Sequence, residues 1–187
     1  MKKISIYIIV IILLSACSPS PEAIQQAISQ TQTAAPTPTK IPFSQIPLKD
    51  LIFQEGDLPA GYSPAQIRSE LGDFTDNAVT PDNFISYSLS HNGSMGGLVD
   101  VLVYNDISNV KPAFTEASSH FPGTKKSVDV GETGVYAVNM LIINTVSVAF
   151  YRCHSVVALQ FQGTFIAEDV ISYANHLDER LQQEFCD

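Results

Sequence analysis

The sequence predicts an α+β domain: an antiparallel sheet of about six strands packed against helices, sandwich-like, behind a signal peptide and a disordered tether. Three observations predict it. Residues 84–162 carry runs of β-branched and aromatic residues, separated by short Gly-, Asn- and Ser-containing breaks. Two segments, one after Asn109 and one after Ala167, instead repeat apolar residues at helical spacing. Ahead of residue 46 the chain first turns strongly apolar, then Ser-, Thr-, Gln- and Pro-rich, so one domain of residues 46–187 holds the core.

The chain begins with Lys2 and Lys3, followed by a nearly continuous apolar run from Ile4 to Leu14. A bilayer span needs about 20 apolar residues, so this run is too short. Its length and flanks suit the apolar part of a secretory signal, residues 1–16. Leu14-Ser15-Ala16-Cys17 resembles the lipobox of bacterial lipoproteins, with Leu, two small residues and Cys in order. The resemblance implies that Cys17 receives acyl chains such as palmitate and becomes the mature N-terminus. Several acyl chains would hold the protein stably at the cell membrane, facing the extracytoplasmic side. A plain signal peptide ending beside a cysteine is the other reading.

Residues 17–45 then form a lipidated tether. They contain almost no large apolar residue, and such a segment cannot bury enough surface to offset its ordering entropy. As a flexible chain, residues 18–45 would reach roughly 30 Å.

Within the domain, Ile46, Leu48, Leu51 and Ile52 suggest an opening helix or strand, and "DLPAGY" (Asp57–Tyr62) a turn. Phe84–His91 and Leu98–Tyr104 read as strands joined by a Gly-rich hairpin loop, "HNGSMGG". Asn109 is the expected cap of a helix reaching about His120, with Val110, Ala113, Phe114, Ala117 and Phe121 on its apolar face. Lys125–Val130, Val135–Leu141, Thr145–Arg152 and Ser155–Gln162 should form a meander. A last helix, about Ala167–Phe185, carries the stripe Val170, Ala174, Leu177, Leu181 and Phe185, and its acids Glu168 and Asp169 suit the positive helix end.

Export and lipidation of Cys17 leave Cys153 and Cys186, an even pair in a disulfide-permissive compartment. A bridge between them is expected. Strand alternation sets Cys153 with Thr145, Ser147, Ala149 and Tyr151, away from the Val146/Val148/Phe150 face. The bridge therefore requires close helix approach, cover on both faces, or a twisted strand end. Alternation also turns His154 away from Cys153, which weakens a reactive-thiol reading.

Removing Lys2 and Lys3 leaves eight basic against 19 acidic residues, a formal charge of −11. That excess speaks against nucleic acid or anionic lipid as a direct partner. No zinc-protease, serine-hydrolase, phosphate-loop or CxxC motif is present, and His91, His120, His154 and His176 are scattered. Neither metal nor cofactor is called for. Asp100 interrupts an apolar strand, and Arg152 ends the Val146/Val148/Phe150 face. A charge there needs a partner or water, so each is a candidate for a ligand cleft or for a structural ion pair.

"VGETGVYAV", "VAFYRCHSVVALQFQG" and the "YANHLDERL" helix resemble the C-terminal part of many small bacterial lipoprotein domains, and the α-β-α order is similar to the PsbP-like sandwich. The resemblance covers about the last 60 residues and implies fold more than function. The expected function is a non-enzymatic, membrane-anchored module that binds an envelope protein or small ligand, or supports an envelope assembly. The alternative is a hydrolase-like enzyme with a site assembled from dispersed polar residues.

Overall fold

The computed structural model describes residues 41–54, 56–70, 79–140, 144–163 and 167–186. Cys17, the expected signal peptide and the tether up to residue 40 lie outside them. The compact unit runs Ile41–Asp187, five residues ahead of the boundary expected at Ile46. Phe43–Gln45 forms a 3-10 turn, and the Phe43 ring packs edge-on against Phe185 at 5.3 Å. Asn83 donates from Nδ2 to the carbonyls of both Phe43 and Ile46, fixing this lead-in segment to the sheet. A single helical turn follows, α1 (Lys49–Ile52), with Ile52 fully buried.

Seven antiparallel strands form one sheet: β1 (Tyr62–Arg68), β2 (Asn83–His91), β3 (Ser94–Val103), β4 (Lys125–Val128), β5 (Thr133–Asn139), β6 (Thr145–Arg152) and β7 (Ser155–Gln162). Their order across the sheet is β1-β2-β3-β7-β6-β5-β4. The expected six strands become seven because β1 escaped notice. It is an edge strand burying only Tyr62, with Pro64 and a bulge in its middle, so it lacks the alternating signal of a half-buried strand. The meander of the last four strands is as expected.

The chain leaves β3 through a 3-10 turn, Ile107–Asn109, into α2 (Val110–Ser119), crosses one face and enters β4 at the far edge. After β7, α3 (Ala167–Phe185) covers the other face. The α3 layer buries Val99, Val101, Val103, Val146, Val148, Phe150, Val157, Leu159 and Phe161 against Val170, Ala174, Leu177, Leu181 and Phe185. The α2 layer is built from smaller residues, with Ala117 against Ala137, Ala149 and Ala158. Alanine rows let the helix backbone approach the sheet closely. Both faces are thus covered, and β6 and β7 are buried almost throughout.

Two local readings are corrected. The β2–β3 loop is only Asn92-Gly93, both with positive φ, and Ser94–Gly97 already belong to β3. This is the two-residue turn that Asn-Gly favours. Gly97 is required there: at φ +144° a Cβ would lie 1.9 Å from the Gln160 carbonyl oxygen of β7. The side chain of Asn109 makes no cap bond to α2. Asp106, three residues earlier, accepts from the Ser108 N–H at 2.9 Å, and this bond holds its carboxyl below the usual range.

Cys153 and Cys186 are bridged, with Cα atoms 5.5 Å apart. The parity problem disappears because β6 ends at Arg152. Cys153 sits in the β6–β7 turn at φ +48°, where strand alternation no longer applies.

Candidate functional site

Asp100 and Arg152 face opposite sides of the sheet, so they do not form one site. Asp100 lies on the α2 face, fully buried, and accepts from the Ser86 hydroxyl at 2.5 Å, its cross-strand neighbour. Arg152 lies on the α3 face. Its Nε and Nη2 donate to Asp178 of α3 at 2.8 and 2.5 Å. These bonds raise the guanidinium pKa further above its ordinary value. Both charges therefore sit in structural partnerships.

Arg152 nonetheless belongs to a tightly joined corner. Asp178 Oδ2 also accepts from the Gly131 N–H at 3.1 Å. Gly131 lies in the β4–β5 turn at φ +69°, where an added Cβ would lie 2.4 Å from the Tyr151 carbonyl oxygen. The next residue, Glu132, donates its N–H to that carbonyl at 2.9 Å and accepts from the Cys153 N–H at 2.8 Å through Oε1. Ion pair, disulfide and two turns thus fix the end of the sheet that also receives the start of α2.

A cavity of about 330 Å³ opens at this corner on the α2 side. Ile107, Ser108, Val110 and Lys111 supply one wall, and Glu132, Tyr151 and Cys153 the other. Val110 and Tyr151 are buried, whereas Ile107 at the rim is 59% exposed. Phe114 packs edge-on against Tyr151 at 5.3 Å, and Thr133 Oγ1 donates to the Tyr151 hydroxyl at 3.3 Å, so the floor is well supported. The volume lies at the small end of ligand pockets, which run from about 300 to 1,000 Å³.

Sequence reading missed this place because its walls come from three separated segments. One signal was legible. The first turn of α2 carries Lys111 and no acid, although acids are favoured at that positive end.

The histidines are dispersed. His154 Nδ1 donates to the Tyr104 carbonyl at 2.8 Å at the disulfide end of the sheet. His91 stacks on Tyr62 at 4.3 Å, at the opposite end beside Gly163. His176 stands 3.6 Å from Asp57, whose other oxygen pairs with Arg180 at 2.7 Å. Among the described residues, no group of three or more His, Cys, Asp or Glu is placed to hold a metal ion. No helix among them is long and apolar enough to cross a membrane.

Comparison of the chain with protein-family models, with curated proteins and with solved structures gave no match. What the site can do rests on its own chemistry: an apolar floor of Val110 and Tyr151 with exposed Lys111 and Glu132 at the rim of a small opening.

Proposed function

We propose that the protein is a lipid-anchored extracytoplasmic binding module, similar to bacterial lipoproteins, whose small-ligand site is the cavity beside α2. The observation that carries the anchoring is the run from Ile4 to Cys17, in which a signal-length apolar stretch ends on Leu14-Ser15-Ala16-Cys17. The Cys153–Cys186 bridge supports export, because such bonds persist in oxidising compartments. The cavity supports binding rather than scaffolding, since a rigid corner with an apolar floor and two charges suits a small molecule.

Membrane fractionation of wild type and Cys17→Ser tests the reading. The wild type should partition into detergent. The variant should be released or persist as an uncleaved precursor. A variant that matures at residue 17 and still partitions like wild type contradicts it.

A further inference from the structure

We infer that the cavity beside α2 takes a small zwitterion with an apolar body, typified by a free amino acid with an apolar side chain. This rests on the binding-module reading above. Lys111 stands in the first turn of α2 and lines the cavity, and the Ser108 N–H ahead of it is already taken by Asp106. Among the described residues its ammonium has no hydrogen-bond or ion-pair partner. Glu132 supplies the opposite charge from the β4–β5 turn. Its Oε1 accepts from the Cys153 N–H, and among the described residues no donor is bonded to Oε2.

These charges select between ligand classes. A simple anion gains from Lys111 but meets the Glu132 carboxylate. A simple cation meets the reverse. An uncharged apolar molecule leaves both charged groups without a new partner. A zwitterion answers both at once, with its carboxylate at Lys111, its ammonium at Glu132 and its apolar part over Val110 and Tyr151. The volume of about 330 Å³ restricts that body to something small.

Calorimetric titration of the full mature chain in detergent micelles tests the inference, with L-leucine, L-phenylalanine, N-acetyl-L-leucine and L-leucinamide as probes. The two amino acids should bind saturably. The acetylated and amidated forms should each bind about tenfold more weakly, the scale of one charge-assisted hydrogen bond. Lys111→Met and Glu132→Gln should each weaken leucine binding by about the same factor, with the unfolding midpoint unchanged. Glu132→Gln keeps a carbonyl acceptor for the Cys153 N–H, so the turn stays intact. Absence of saturable binding by all probes overturns the inference, as does equal binding of the blocked forms or full affinity in Lys111→Met. Detergent partitioning of the same preparations reports the anchor separately, so loss of the ligand class leaves that result standing.

Discussion

Arg152 and Asp178 are joined by two hydrogen bonds, Nε to Oδ1 at 2.8 Å and Nη2 to Oδ2 at 2.5 Å, across the interface between the sheet and α3. Asp178 is nearly buried and Arg152 somewhat more exposed, with side-chain exposures of 9% and 22%. Asp178→Ala strips the guanidinium of its partner and leaves the Gly131 N–H without its acceptor. The expected loss is about 2–4 kcal/mol, below the figure for a fully buried pair because Arg152 is partly wet. The double variant Arg152→Met/Asp178→Leu should recover part of that loss. Equilibrium denaturation measures both. A single variant within about 0.5 kcal/mol of wild type would show that the pair is ornamental.

Ser147 predicts the opposite sign. Its hydroxyl is buried in β6 on the α2 face and has no hydrogen-bond partner among the described residues. Ser147→Ala removes the unpaired group and adds an alanine to the small-residue layer of Ala137, Ala149 and Ala158. Stability should stay level or rise by about 0.5–1.5 kcal/mol. A clear loss in the same denaturation experiment contradicts this.

The lead-in segment gives a third test. A chain starting at Ile46 loses the Phe43 ring, which packs against His154 at 4.8 Å and Phe185 at 5.3 Å. It also loses one of the two acceptors of Asn83. It should fold, yet be about 1–3 kcal/mol less stable than a chain starting at Ile41. Equal stability would place the functional boundary back at Ile46.

High pH should unfold the domain through its buried tyrosines. Burial pushes Tyr62 and Tyr104 up to about 12, and Tyr173, which donates to the Ile52 carbonyl at 3.0 Å, is pushed up as well. The folded state then holds these protons more tightly than the unfolded chain, whose tyrosines titrate near about 10. Their stabilising contribution is complete below about pH 10 and is lost as pH rises through about 12. Phenolate absorbance and denaturation midpoints should change together over that window. Tyrosines that all titrate near 10 without loss of fold would contradict the burial argument.

Periodic burial was legible in the sequence, and isolated chemistry was not. The α3 stripe Val170, Ala174, Leu177, Leu181 and Phe185 is wholly buried, and β6 and β7 run over the expected residues, Thr145–Arg152 and Ser155–Gln162. Each of these signals repeats, so tertiary context reinforces it. β1 buries one residue and therefore left no pattern. Asp100 and Arg152 stood out as charges on apolar faces, and each did need a partner. Those partners, Ser86 and Asp178, come from β2 and α3, which only the folded topology sets beside them. The cavity was hidden for the same reason, since Lys111 and Glu132 come to line one cavity only when α2 crosses to the end of the sheet that holds the β4–β5 turn.

Intact-mass and peptide analysis of the mature protein extracted from its membrane tests the central proposal most directly. The account predicts an N-terminal peptide beginning at Cys17 and carrying the added mass of a diacylglyceryl group, in a chain whose Cys153 and Cys186 remain bridged. An unmodified Cys17, or a mature N-terminus at another residue, would contradict it.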